Sequence, residues 1–346
     1  MEPKWIKGMD VSFLDEIEQG GGVFHDGDES ADALRVLRNG GVHSIRLRIW
    51  NDPPGEYCNL ERTLLMAKRV KALGMHLLLD FHYSDRWADP ANQWKPAAWS
   101  DLQGSGLEQV VYDYTYEVLA VLRAGGALPD MVQIGNEITN GMLWPDGRIE
   151  TGEDPGAADG QWTRLCGLLK AGVAAVRDTN ESVRVMLHID RGGDPKGSRS
   201  FFDRIEAAGI DYDIIGLSYY PWWHGPLEQL SRNLDELSAR YGRDLIVVET
   251  AYPWTFCAKE GFPLIVENDE ALPAAYPATP EGQAAYMKEF ADVIRRTKGG
   301  RGIGFYYWEP CWIPSQREWS VGHANNWSNL TLFDHDGYPL PALYIP

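Results

Sequence analysis

Eight short apolar runs, separated by segments with helical spacing, constrain this chain more than any other feature of its sequence. They run from Ile6 to Val11, Ser44 to Trp50, Met75 to His82, Met131 to Glu137, Val183 to Asp190, Ile214 to Tyr220, Leu245 to Thr250 and Gly302 to Trp308. Apolar runs of this length read as buried strands. Between them the spacing becomes helical. From Leu60 to Leu73, Leu60, Leu64, Ala67 and Val70 fall on one face and Arg62, Lys68, Arg69 and Lys71 elsewhere, after the cap-type Asn59. Further helices fit Ser30 to Arg38, Leu107 to Arg123, Trp162 to Arg177, Phe201 to Ala208, Leu227 to Tyr241 and Glu281 to Arg296. Glycines such as Gly74, Gly209 and Gly242 follow the helices, where a C-terminal cap calls for positive φ. Strands alternating with helices give an α/β chain, and eight strands so spaced in 346 residues predict a (β/α)₈ barrel filling the chain as a single catalytic domain, residues 1–346. A doubly wound sheet is the alternative, but no glycine-rich phosphate loop follows the first strand. After Trp308 the chain carries Pro310, Pro314, Pro339, Pro341 and Pro346 without a helical period, which predicts a long irregular loop and a degenerate last helix.

The chemistry of such a barrel sits at the C-terminal ends of its strands. In this chain those ends carry Asp10, Arg46 and Arg48, His82, Asn136 and Glu137, His188 and Asp190, Tyr219 and Tyr220, Glu249, and Trp308. The run Met131 to Ile134 stops at Gly135, and Asn136 and Glu137 follow at once; Leu245 to Val248 delivers Glu249 in the same way. A carboxylate in such a position is poorly solvated, so its pKa rises, as suits a general acid. One Asn-Glu pair alone would equally be a capping asparagine beside a solvated glutamate; the second strand with the same ending favours chemistry. Arg46 and Arg48, two residues apart, share a strand face. Either they form a buried ion pair that holds the barrel together, or an inward arginine keeps Glu249 ionised as a nucleophile requires. His82, His188, Asp190 and the two glutamates also admit a divalent metal site, though no HxH or HExxH spacing is present.

Composition narrows the partners. A formal net charge of -18 disfavours nucleic acid and anionic membranes. Fourteen Trp and 16 Tyr are many for this length. Trp87, Trp94, Trp99, Trp144, Trp222, Trp223, Trp254, Trp312, Trp319 and Trp327 fall in segments that would roof the site, where flat rings stack on sugar faces. Cys58, Cys166, Cys257 and Cys311 are scattered, without zinc or redox spacing. No secretory leader precedes Trp5 and no run reaches membrane-spanning length, so a cytoplasmic location is expected, or a secreted one if a leader has been removed. A monomer is expected.

The motifs KGMDVSFL, IRLRIWNDP, LLLDFHYSDRWADP, IGNEITNGMLWPDG, LSYYPW, VVET and YYWEP together resemble glycoside hydrolase family 53, the endo-β-1,4-galactanases. The likeness extends from about Trp5 to Asp336, and the DFHYSDRWADP and IGNEITNGMLWP blocks are its most specific parts. It implies a clan A barrel that hydrolyses β-1,4-galactan or galacto-oligosaccharides with retention and without a cofactor. Residue by residue, it implies Glu137 as acid/base, Glu249 as nucleophile and Asn136 on the sugar 2-hydroxyl. Arg46, His82, His188, Tyr219 and Trp308 would line the cleavage subsite, with Asp10 and Asp190 at the neighbouring strand ends. Asp85, Trp87 and Asp89 would contact adjoining sugars. It also implies a cis peptide after Trp308. Two departures stand out. The segment WTFCAKEGFPLIVENDEALPAAYPATP lacks the calcium-binding run of many secreted relatives, so no metal is expected, and Cys257 lacks the partner of a fungal disulfide. Both suggest an intracellular enzyme taking imported oligosaccharides. A mannanase or cellulase, a non-catalytic sugar-binding barrel, and a metal-dependent isomerase or deaminase remain the alternatives, because fold alone does not fix function.

Overall fold

The computed structural model describes residues 5–150, 155–259, 263–315 and 325–346. Trp319 and His323 lie outside them. Eight parallel strands close into a barrel: β1 (Ile6–Asp10), β2 (Ser44–Ile49), β3 (His76–Phe81), β4 (Met131–Ile134), β5 (Arg184–Ile189), β6 (Ile214–Ser218), β7 (Asp244–Thr250) and β8 (Gly302–Trp308). Each pairs with its neighbour in sequence, and β8 closes on β1 through the register Gly8 to Tyr306 and Asp10 to Trp308. The expected (β/α)₈ architecture is therefore observed.

Seven longer helices cover the barrel among the described residues: α1 (Ala33–Asn39), α2 (Leu60–Ala72), α3 (Gly104–Ala124), α4 (Pro155–Thr179), α5 (Pro195–Ala207), α6 (Leu227–Tyr241) and α7 (Pro280–Arg295). In α2 the Asn59 side chain accepts the Arg62 N–H at 2.9 Å, and Thr63, Met66, Ala67 and Val70 form the buried stripe. Leu60 and Leu64 sit at the stripe's edge rather than in it. Helix α6 ends at Gly242, whose φ of 61° is a left-handed cap that a side chain would strain. Helix α1 starts later than the sequence pattern suggests. Phe24–Asp26 and Glu29–Ala31 form a small antiparallel hairpin, and Asp32 caps the helix by accepting the Arg35 N–H at 3.0 Å.

The last helix is degenerate, as expected. After β8 the chain returns through irregular segments to a 3₁₀ turn, Pro341–Tyr344, which packs against α7. Lys7 holds this segment: its buried ammonium donates to the Gly40 and Leu343 carbonyls, each at 2.7 Å, and to that of Ile345. Lys7 faces away from the barrel axis, while Ile6 and Gly8 face inward.

The barrel interior is layered. Ile6, Leu78, Met131, Met186, Ile214, Ile246, Val248 and Tyr306 form an apolar plug at its base. Gly8 is required there, since a β-carbon would lie 2.4 Å from the Tyr306 ring. Above this plug most inward positions of the next layer are polar, and that layer builds the site.

Candidate active site

Alternation along the strands places Asp10, Arg46, Arg48, Asp80, His82, Gln133 and His188 in or above the second layer. Arg46 is its centre. Fully buried, it donates through Nη1 to Asp10 Oδ2 at 2.8 Å and Glu249 Oε1 at 2.9 Å. Its Nη2 donates to Asp80 Oδ2 at 2.8 Å, Asn136 Oδ1 at 2.8 Å and Gln133 Oε1 at 3.2 Å. One guanidinium thus organises three carboxylates and two amides. The fork suits this; a lysine ammonium could not reach the same set of acceptors.

Each partner is itself fixed. Asp10 Oδ1 accepts the Ser12 N–H at 3.0 Å and the Ser12 hydroxyl at 2.6 Å. His82 Nδ1 accepts the indole N–H of Trp50 at 3.0 Å and the Ala88 N–H at 3.1 Å. Its proton therefore sits on Nε2, which donates to Asp80 Oδ2 at 3.1 Å. Asn136 donates to the Ala88 carbonyl at 2.8 Å, which leaves its oxygen for Arg46. Arg48 pairs with Glu309 at 2.8 Å and lies between the rings of Phe13 and Trp87. The buried ion-pair role thus belongs to both arginines, and Arg46 additionally grips Glu249.

Two irregularities aim the glutamates. On β7 the register slips between Val247 and Thr250, so Val248 and Glu249 both point inward although they are adjacent. After β4, Gly135 (φ 81°) and Glu137 (φ 47°) leave the ladder and turn Glu137 over the barrel mouth. Glu137 Oε1 accepts the Ser218 hydroxyl at 2.6 Å, and Glu249 Oε2 accepts the Tyr220 hydroxyl at 3.2 Å.

Both glutamates line one cleft of about 460 Å³, within the range of small-molecule sites. Asp10, Arg46, His82, Trp87, Asp89, Asn136 and Trp308 line it with them. Trp308 stands edge-on to Trp327 with centroids 4.6 Å apart and lies 5.9 Å from Trp87. Trp223, more than half exposed, and Ile265 form a further apolar wall.

Burial raises the pKa of both glutamates, but their neighbours differ. Glu249 has Arg46 against it, which offsets part of the burial and leaves it at about 7; Asp10 and Asp80 push the other way. Among the described residues no cation is paired with Glu137, and burial, then the charges of Glu249 and Asp190, hold it well above the usual carboxylate range. Glu249 is the group that ionises first.

Four expected residues are not brought to the cleft. Tyr219 points outward from β6 and donates to the Gly225 carbonyl at 2.6 Å; its neighbour Tyr220 takes the place facing Glu249. Asp85 accepts the Asp52 and Ala97 N–H groups at 3.0 and 2.8 Å, and so joins two loops. His188 lies beneath the cleft wall, and Asp190 accepts the Thr139 hydroxyl outside it. The peptide after Trp308 is not the cis bond expected: the chain turns there at Glu309 (φ 49°), tied by its N–H to the Asp10 carbonyl at 3.0 Å. The cis peptide among the described residues is Trp144–Pro145. Asp80, Gln133 and Ser218 complete the site without having been expected. Asp80 was legible, since Leu78, Asp80 and His82 share one strand face. Among the described residues no cluster of three or more His, Cys, Asp or Glu, those of the cleft included, is arranged to hold a metal ion, and all four cysteines are free.

Comparison with known proteins settles the family. The model of glycosyl hydrolase family 53 matches residues 6–345. The chain belongs to that family. It is 56% identical to an uncharacterised Niallia circulans protein over 99% of this chain and 93% of that one. It is 32% identical to the endo-β-1,4-galactanase of Bacillus subtilis, over 100% of this chain and 86% of that protein. The family 53 catalytic domain of Ignisphaera aggregans superposes with a TM-score of 0.92 at 37% identity, covering 99% and 96% of the two chains. No helix among the described residues is long and apolar enough to cross a membrane.

The dependence of this glycoside hydrolase site on Arg46 is testable by unfolding. Arg46→Met should leave Asp10, Asp80 and Glu249 buried without their cation and cost about 3–5 kcal/mol at neutral pH. The loss should shrink as pH falls and the carboxyls take up protons. A urea midpoint unchanged at pH 7.5 would contradict the arrangement.

Proposed function

We propose that the protein is a retaining endo-β-1,4-galactanase, hydrolysing β-1,4-linked galactan or galacto-oligosaccharides by double displacement with Glu249 as nucleophile and Glu137 as acid/base. The observation that carries this is the unequal pairing of two carboxyls on one cleft: Glu249 bound to Arg46 at 2.9 Å, Glu137 bound to the neutral Ser218 at 2.6 Å. The Bacillus subtilis relative, an endo-β-1,4-galactanase that this chain matches along its whole length, supplies the substrate class.

The chemistry follows from that asymmetry. Glu249, ionised beside Arg46, attacks the anomeric carbon from below while Trp308 supports the apolar face of the ring. Glu137, still protonated, gives its proton to the leaving oxygen. Asn136, held by Arg46 and the Ala88 carbonyl, presents its amide at the sugar 2-hydroxyl. With the leaving sugar gone, Glu137 is a carboxylate next to an ester rather than next to another charge. It then takes a proton from water, which attacks the same carbon and restores Glu249. A retaining pair stands about 5–5.5 Å apart, against about 6.5–9.5 Å for an inverting pair. Trp87, Asp89 and Trp223 would hold adjoining sugars. The chain works as one catalytic unit without a metal or cofactor in the reaction. The lone, exposed Cys257 fits a reducing compartment and soluble oligosaccharide substrates.

Glu249→Ala should reduce hydrolysis of galactan to background, because no other group can form the ester. Glu137→Ala should lose about 10²–10⁴-fold on galactan but far less on an aryl galactoside with an activated phenol, which needs no proton. Azide should rescue that variant and give a β-galactosyl azide. An α-configured first product from the native enzyme, seen by NMR, would refute the reading.

The pH dependence follows from the same pair. kcat/KM should be bell-shaped, with its acid limb near pH 7, where falling pH protonates Glu249 and removes the nucleophile. Its basic limb should lie higher, where rising pH strips Glu137 of the proton it must donate. An acid limb at the ordinary carboxyl value would show that burial does not raise Glu249 as described.

A further inference from the structure

His188 was expected at the cleavage subsite, yet it lies wholly buried behind the cleft wall, where no sugar reaches it. Its contacts point elsewhere. On β6 Ile214 and Gly216 face inward, so alternation turns the Ser218 hydroxyl inward too, and the extra residue on β7 sets it beside Glu249. That hydroxyl stands between two groups: Glu137 Oε1 at 2.6 Å and His188 Nε2 at 2.8 Å.

The single hydroxyl proton goes to Glu137, the shorter contact, so His188 donates through Nε2–H. Its Nδ1 is then an acceptor. Asn136 Oδ1, a second acceptor, lies 2.9 Å from it. Gln133 stands beside both: its amide nitrogen, with two protons among four acceptors, is 3.1 Å from Nδ1 and from Asn136 Oδ1, 2.6 Å from Asp80 Oδ1 and 3.0 Å from the Gly135 carbonyl. The Glu137 N–H points at Nδ1 as well, at 3.4 Å. Burial, then Arg46 and His82, holds the His188 pKa well below its usual value, so the ring stays neutral in this frame.

We propose that Ser218 and His188 are positioning residues for Glu137, holding one carboxyl oxygen so that the other carries the proton to the leaving sugar, and favouring the ionised form in the second half of the reaction. The inference rests on the acid/base assignment of Glu137. Opposing Ser218 are the groups that face Glu137 from the other elements. These are Glu249 on β7, Asp190 after β5 and Asp89 after β3, whose charges favour the protonated acid. Tyr220, two residues beyond Ser218, donates to Glu249 rather than to Glu137. Arg46 makes no direct bond to Glu137; its Nη2 bonds Gln133 Oε1, and the Gln133 amide nitrogen meets His188 Nδ1. Ser218 is therefore the one side chain among the described residues that donates a hydrogen bond to this carboxyl. A neutral donor is suited to the task. It steadies the carboxylate without the permanent cation that would ionise Glu137 before the first step.

The test is the pH profile of Ser218→Ala and Ser218→Thr beside the native enzyme, on galactan and on an activated aryl galactoside, with thermal unfolding as a check on folding. Ser218→Ala should move the basic limb of kcat/KM up by about one pH unit, leave the acid limb in place, and lower kcat on galactan at least tenfold with little change in KM. Ser218→Thr, which keeps the hydroxyl, should return the limb to its native position. His188→Leu should shift the same limb, and the double variant should go no further than Ser218→Ala. If His188→Leu does not fold, the two serine variants decide. A basic limb unmoved in a folded Ser218→Ala, or moved equally by Ser218→Thr, overturns the proposal. The limb must vanish in Glu137→Ala: if it persists there, the acid/base assignment fails, whereas if it vanishes there but ignores Ser218, only this inference fails.

Discussion

Everything in this site leans on one buried guanidinium. Arg46 cannot lose its proton, and it has almost no contact with water, so its charge must be answered by the protein. Asp10, Asp80 and Glu249 answer it from three different strands, and Asn136 answers from the turn after a fourth. A pair of buried charges is weak evidence of stability, since desolvation offsets much of the attraction. Its value is geometric. Bonds of 2.8–2.9 Å to four fixed partners leave little freedom in where Glu249 and Asn136 stand. The apolar plug below excludes water from the underside of this network, which strengthens every interaction in it.

The same cation separates two glutamates that would otherwise behave alike. Both are carboxyls at the mouth of a dry barrel. One touches Arg46 and the other touches a serine hydroxyl, and that difference leaves Glu137 with the higher pKa. The pattern is general: two acids share a site usefully when their surroundings push their protons apart. Here the sorting uses neighbours from β2, β6 and β7, elements far apart in sequence that only the closed barrel brings together.

How much of this was legible in the sequence depends on whether strand alternation held. Where it held, the reading succeeded: eight strands in order, Arg46 inward, and Glu137 and Glu249 at their strand ends. Alternation would also have given Asp80, had the interior positions been read as well as the ends. It would likewise have given Tyr220 in place of Tyr219, since Ile214, Gly216, Ser218 and Tyr220 alternate inward along and just beyond β6. The slip on β7 turned Glu249 inward beside Val248, a result reached for a reason the sequence did not contain. Asp85 sits in a motif that suggested sugar binding, but its oxygens are taken by the N–H groups of Asp52 and Ala97. Local hydrogen bonding of that kind depends on where two loops meet, which no single segment encodes.

The central claim, that Arg46 makes Glu249 the ionised nucleophile while Glu137 keeps its proton, is tested most directly by trapping the covalent intermediate. A 2-deoxy-2-fluoro-β-galactoside with an activated leaving group slows both chemical steps, and the good leaving group lets the ester accumulate. Mass spectrometry of the digested enzyme should then find one fluorosugar on the peptide that contains Glu249, and none in Glu249→Ala. A label on Glu137, or steady turnover with no adduct and an inverted product, would contradict the account.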